Sequence, residues 1–147
     1  MKHKKIELKN KIINHLILNG KKETGEKILL KSFKELQKSS KKQPKKLIKL
    51  ALIFSTPIFK IYKITIKKKK KKIKKNLNII NNKKARISLA IKFILATLKN
   101  KKSNYFYIKL HNEILLNLKS EGSAVQIKNK IQKQALLNKH FFYFYRW

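Results

Sequence analysis

Arg86 and Arg146 are the only arginines in a chain whose other basic side chains are all lysine. A guanidinium can hold a phosphate through two parallel N–H donors in a fixed fork, which an ammonium cannot do. Arg86 is therefore the strongest single candidate for a phosphate contact, with Lys92 expected on the same helix. Lys21 and Lys22 stand side by side at the first turn of an expected helix, where their charge adds to its positive N-terminal end in attracting phosphate. Lys60 and Lys63 punctuate a β-branched run, and Lys67, Lys68, Lys69 and Lys70 open an unbroken lysine block behind it. Arg146 lies in the closing stretch Phe141-Phe142-Tyr143-Phe144-Tyr145-Arg146-Trp147. Aromatic planes beside a cation can stack on bases or dock on another protein, and the same stretch could equally be core. The chemistry these residues offer is recognition of a phosphodiester backbone. For each lysine taken alone, a solubilising surface charge is the competing reading.

Composition gives the same answer. Forty lysines and arginines face six glutamates and no aspartate in 147 residues, a formal net charge of +34. Spread over a small domain, such charge opposes folding by self-repulsion unless a polyanion neutralises it. Nucleic acid is the first candidate, because each neutralised phosphate releases counterions and adds affinity independent of sequence. Anionic membrane is the competing polyanion, through an amphipathic face lying on its surface. A spanning helix is not expected: the apolar stretch from Leu50 to Phe59 is broken at Thr56-Pro57 and flanked by Lys49 and Lys60, far short of the ~20 residues required. An enzyme is disfavoured, with no aspartate, no glycine-rich phosphate loop and no carboxylate pair spaced for acid and base roles. There is no cysteine, hence neither disulfides nor thiolate metal sites. His3, His15, His111 and His140 are too scattered for metal ligands, and no cofactor is expected. Lys, Asn, Ile, Phe and Tyr all use A/T-rich codons, so their abundance points to an A/T-rich genome and also inflates the lysine count.

These residues must be positioned by a small core, which the 42% hydrophobic content allows. Ile6, Ile12, Ile13, Leu16 and Ile17 recur near helical spacing, and Asn19-Gly20 suits a left-handed end, so a first helix is expected to finish at Gly20. Thr24 is the expected cap of a second helix, with Glu26 in its first turn and Ile28, Leu29, Phe33 and Leu36 inward. Pro44 opens a third, in which Leu47, Ile48, Ala51, Ile53 and Phe54 make the buried face, and Thr56-Pro57 closes it. Between Ile58 and Ile66 the pattern becomes β-branched and aromatic, and Asn76-Leu77-Asn78-Ile79 alternates. Together with the lysine block between them they predict a long basic hairpin whose tip is either solvated or an arm on RNA. Ile87, Ala90, Ile91, Ile94 and Leu98 define a fourth helix. Ile108, Leu110, Ile114, Leu115 and Leu118 define a fifth, stopping near Gly122, and Ile127, Ile131, Ala135 and Leu136 a sixth. The expectation is mainly α: one domain over 1–147, bundle-like with about six helices and a basic β-hairpin between the third and fourth. Its parts are a basic arm at 1–9, helices over 10–56, the hairpin over 58–80, helices over 84–141 and an aromatic tail at 141–147.

Several motifs then fall in a familiar order. Leu16-Ile17-Leu18-Asn19-Gly20-Lys21-Lys22 is followed by Thr24, Gly25, Ile28 and Leu29. Pro57 precedes the basic hairpin. Ala85-Arg86-Ile87-Ser88-Leu89-Ala90-Ile91-Lys92-Phe93-Ile94 comes next, and the chain ends through Asn112-Glu113-Ile114, Gly122-Ser123-Ala124-Val125, Asn138-Lys139 and Tyr145-Arg146-Trp147. Over roughly residues 10 to 147 this resembles the seventh small-subunit ribosomal protein family, with Arg86 in register. The departures are Gly25 where the family usually has alanine, Phe93 where it has tryptophan, and lysines at the hairpin bend where it has glycines. The acidic residues usual before the sixth helix are also missing from Gln126 to Lys130.

The resemblance implies a mostly helical protein on the 3′ major domain of small-subunit ribosomal RNA. There it would nucleate assembly of the head, with hairpin and basic helix faces on RNA. It would lie near the exit-site transfer RNA and the messenger exit path, beside the ninth and eleventh small-subunit proteins in a large ribonucleoprotein. Phosphate contacts position such a protein while RNA shape supplies much of the selectivity. The alternative is a basic protein coating organellar DNA, which resistance of the complex to RNase but not DNase would favour. The resemblance begins within a dozen residues of Met1, which with the codon bias predicts an organelle-encoded protein, in the mitochondrion first and the plastid second.

Overall fold

The computed structural model describes residues 8–17, 19–40, 42–66, 72–99, 102 and 105–137, with the backbone alone over 61–66 and 72–77. In chain order they form α1 (Leu8–Leu16), α2 (Lys22–Ser39), α3 (Pro44–Ser55), β1 (Phe59–Ile66), β2 (Lys72–Ile79), α4 (Lys83–Lys99), α5 (Phe106–Leu118) and α6 (Ser123–Leu137). The architecture is mainly α, with one two-stranded antiparallel hairpin between the third and fourth helices. α5 is the central helix, packed on α2, α3, α4 and α6, while α4 also touches α1 and α3. Ile13, Leu29, Leu36, Ile48, Ala51, Ala90, Ile91, Leu98, Leu110 and Ile114 meet in one core. The apolar spacing read from the sequence is thus the spacing the core uses, at i, i+3 and i+4.

The ends of these helices follow local chemistry that the pattern did not always reveal. α1 stops at Leu16 rather than Gly20, and it already begins at Leu8, inside the stretch expected as a basic arm. Asn19 and Gly20 both adopt positive φ, 52° and 75°, so the reversal lies beyond the helix. The early end has a steric cause: α2 crosses α1 at Gly25, against Leu16, Ile13 and Ile17, and the chain must turn back to reach it. Thr24 is not a cap. Lys21 holds the N-cap position with no side-chain hydrogen bond, and the Thr24 hydroxyl, inside the first turn, donates to the Lys21 carbonyl at 2.7 Å. In α3 the expected buried face is only partly right. Leu47, Ile48, Ala51 and Leu52 are buried, whereas Ile53 is 57% and Phe54 40% exposed, because they lie around the helix from the core. Leu136 on α6 is likewise exposed, and Ala135 takes the inward position.

Gly25 leads to a direct expectation. A Cβ built there meets Leu16 Cβ at 3.5 Å and the Ile13 carbonyl at 3.9 Å, which is ordinary contact. Gly25→Ala should therefore stabilise the protein by about 0.5–1 kcal/mol, since alanine restricts the unfolded chain and favours helix. Thermal unfolding measures this directly, and a lower melting temperature would mean that α1 and α2 cannot accommodate the methyl.

The hairpin is regular. Phe59 pairs with Ile79, Lys60 with Asn78, Lys63 with Lys75 and Ile66 with Lys72. One further bond, from the Ile80 N–H to the Ile58 carbonyl at 2.9 Å, extends the ladder by one step at its root. Lysines at directly opposed positions repel one another, so an isolated ribbon of this composition is disfavoured without a neutralising partner. Lys67 to Lys70 lie outside the described residues, as does the aromatic tail with Arg146.

The α5–α6 corner is tied by a buried carboxylate. Glu113, fully buried, accepts the Ala124 N–H through Oε1 at 3.0 Å. A negative group at the start of a helix satisfies an otherwise orphan donor and complements the helix dipole. One of only six carboxylates in the chain is used inside the fold.

Candidate nucleic-acid interface

Asn82 starts the site, because its side-chain oxygen accepts the Lys84 N–H at 2.8 Å and so caps α4. One turn on, Arg86 is half-buried and donates through Nε to the carbonyl of Ile80, the residue leaving β2. Arg86 thus joins the hairpin's root to the first turn of α4. A phosphate would be met by the terminal nitrogens of the fork, while Nε holds the plane in place.

α1 lies alongside this turn and runs in the same direction. Lys11 Nζ donates to the Lys84 carbonyl at 2.8 Å, and one turn further His15 and Ser88 share a hydrogen bond of 2.6 Å. Lys92 follows after another turn of α4 and is exposed. Beyond the end of α1, the loop carries the chain to Lys21 and Lys22, both exposed, with Lys22 4.0 Å from Glu26. That exposed pair contributes little to stability. The fold therefore arranges a ridge along one side of α4: Lys84 with Lys11, His15 with Ser88, then Lys92. Arg86, two residues beyond Lys84 and so on another face of the helix, is tied to the hairpin's root, and Lys21 and Lys22 follow in the loop beyond α1. Lys60, half-buried at the start of β1, has its own interactions at the hairpin end.

Of the expected site residues, Lys92 lies on this ridge, Arg86 on the same helix but on another face beside the hairpin's root, Lys21 and Lys22 in the loop beyond α1, and Lys60 and Lys63 on β1. Lys11, His15 and Lys84 escaped the sequence reading. Their signal was present as matched four-residue steps, Lys11 to His15 on α1 and Lys84 to Ser88 to Lys92 on α4, but only the pairing of the two helices brings the steps together.

His15 is electrostatically informative. Partial burial, then the charges of Lys92 and Lys11, hold its pKa below the ordinary histidine value of 6.5. Its folded pKa is depressed, so below about pH 6.5 the unfolded chain binds the extra proton more readily. Stability is thus present above that pH, falls as pH drops toward the folded pKa, and levels off beneath it. His15→Gln should flatten this acid-side loss in thermal unfolding between pH 7 and pH 5. An unchanged slope would place the responsible titration elsewhere.

Among the described residues no group of His and Glu side chains is placed to hold a metal, and no helix is long and apolar enough to cross a membrane. His111 bonds Ser39 at 3.0 Å and its neighbour Asn112 at 3.0 Å, both bonds on the exposed side of α5.

Comparison with known proteins agrees with this geometry. Residues 1–139 match the family model described as ribosomal protein S7p/S5e. The chain is 31% identical over 143 residues to small ribosomal subunit protein uS7c of Euglena gracilis, covering 91% of this chain and 83% of the relative. It is 26% identical to small ribosomal subunit protein uS7 of Pseudothermotoga lettingae, covering 93% and 85%, and 27% identical to uS7m of Reclinomonas americana, covering 93% and 83%. With the family model spanning nearly its whole length and the fold carrying the hairpin between its third and fourth helices, the chain belongs to the ribosomal protein S7p/S5e family.

Proposed function

We propose that the chain holds the 3′ major domain of small-subunit ribosomal RNA along the α1–α4 ridge and the adjoining hairpin, and nucleates assembly of the subunit head. Family membership makes it a structural, non-enzymatic constituent of the small ribosomal subunit. The observation that supports the RNA reading is that three hydrogen bonds, Lys11 to the Lys84 carbonyl, His15 with Ser88 and Arg86 to the Ile80 carbonyl, fix α1 and the hairpin's root on α4, so that Lys11, Lys84, Arg86 and Lys92 are carried on one packed unit beside the hairpin. Phosphate contacts are assigned to Lys21, Lys22, Lys60, Lys63, Lys67, Lys68, Lys69, Lys70, Arg86, Lys92 and Arg146. In the assembled head the protein lies near the exit-site transfer RNA and the messenger exit path, beside the ninth and eleventh small-subunit proteins.

The compartment is organellar. The abundance of residues that A/T-rich codons encode supports an organelle genome, with the mitochondrion the first compartment. The plastid is the second, and relatives of both organellar kinds, the uS7c of Euglena gracilis and the uS7m of Reclinomonas americana, are compatible with an organelle.

Filter binding of the full chain to a 3′ major domain RNA fragment and to duplex DNA of equal length, over a salt series, tests the assignment. Neutralisation of about six phosphates gives a slope of about −4 or steeper in log affinity against log salt for either polymer. The RNA should stay preferred as salt rises, because its folded shape adds contacts that do not titrate. Equal affinities at every salt concentration would support the DNA-coating alternative.

A further inference from the structure

On the α2–α5 face an exposed aromatic stands beside a row of cations that the ridge does not use. Tyr105, at the N-cap of α5, is 61% exposed. Its ring lies 5.7 Å from that of Tyr107 at an interplanar angle of 36°, within the range of attractive aromatic pairs. Lys31 of α2 places Nζ over the Tyr107 ring, 5.6 Å from its centroid, a cation–π contact. Lys27, Lys31 and Lys34 are exposed on α2 at spacings of four and three, so they form one stripe with neighbours about 5–6 Å apart. Lys38 continues the stripe, although it is held by Glu35 at 3.0 Å. Lys102 is exposed on the approach to Tyr105.

We propose that Tyr105, backed by Tyr107 and flanked by the Lys27–Lys31–Lys34 stripe, is a stacking platform for an unpaired base of RNA, with the lysines on the phosphates either side. This rests on the reading that the protein binds ribosomal RNA and adds a second contact surface to it. The charge chooses the occupant. A protein docked on Tyr105 through an apolar surface would strip water from several lysines without compensation, whereas an unpaired nucleotide supplies a π-face and a negative phosphate together. Single-stranded RNA is recognised by such aromatic planes set among cations, in a manner tolerant of base identity.

The test is fluorescence anisotropy of a labelled oligouridylate with the full chain and its Tyr105→Phe, Tyr105→Leu and Tyr105→Ala variants. Arg86→Ala is measured in parallel on the 3′ major domain fragment. Because Tyr105 is exposed, unchanged circular dichroism is expected for all three. Stacking predicts that phenylalanine keeps the affinity while leucine and alanine each weaken it about five-fold or more. Leucine binding as tightly as phenylalanine would overturn the platform, as would alanine binding like the original chain. Either result, with Arg86→Ala still weakening the folded fragment, would leave the ribosomal assignment standing. Loss of preference for that fragment by the unaltered chain would instead count against the assignment, independently of Tyr105.

Discussion

Replacing Gly122 with alanine is expected to lower stability by about 3 kcal/mol or more. A Cβ at Gly122 would lie 1.8 Å from Asn117 Oδ1, 2.6 Å from its Cγ and 2.9 Å from its backbone nitrogen. The side chain cannot simply swing aside, because Asn117 is fully buried, and the backbone nitrogen of a central helix cannot give way at all. Nor can Gly122 retreat, since two residues later the Ala124 N–H is held by Glu113. Thermal unfolding in sulfate, which screens the self-repulsion of the free chain, should show a fall of roughly 10 °C or more. Asn117→Ala in the same chain removes two of the three clashing atoms. The double variant should therefore lose less than the sum of the two single losses, a coupling that contact predicts. Strict additivity would mean that the corner relaxes in some other way.

Arg86→Ala carries the largest expected effect on RNA. A charge-assisted hydrogen bond contributes about 1.5–3 kcal/mol, so losing the fork should weaken binding to the 3′ major domain fragment by roughly ten-fold to a hundred-fold. It also severs the tie from Nε to the Ile80 carbonyl and so loosens the hairpin's root on α4. Arg86→Lys separates these effects: charge remains, but the planar fork and the Nε bond are lost, and recovery should be partial. Lys69→Ala removes one of many neighbouring cations and should reduce incorporation into the small-subunit head less than Arg86→Ala. Equal incorporation of the two variants on a gradient would refute that ranking.

Much of this was legible because helical periodicity and core burial are the same fact seen twice. Leu110 and Ile114, or Ile91, Ile94 and Leu98, could only be inward on a helix, and they are buried. Arg86 stood out because arginine was rare, and its place beside the hairpin followed from Pro57 and the β-branched run. What the sequence hid was tertiary. Thr24 looked like a cap because threonine often is one, yet the crossing at Gly25 moved the start of α2 to Lys22 and put the hydroxyl inside the first turn. Phe54 looked like core by type, but it lies beyond the arc of α3 that α4 and α5 cover. Glu113 could not be singled out, since nothing in Asn112-Glu113-Ile114 announces that the carboxylate reaches α6 eleven positions later. The ridge was half visible, because each helix displayed its four-residue steps while their alignment depended on Lys11 meeting Lys84 and His15 meeting Ser88.

The central claim is that this chain works as part of a small-subunit ribonucleoprotein, and sedimentation of a detergent lysate with and without RNase tests it most directly. The account predicts comigration of the chain with the small subunit, abolished by RNase and unaffected by DNase. Persistence in a membrane or DNA fraction after RNase treatment would contradict it.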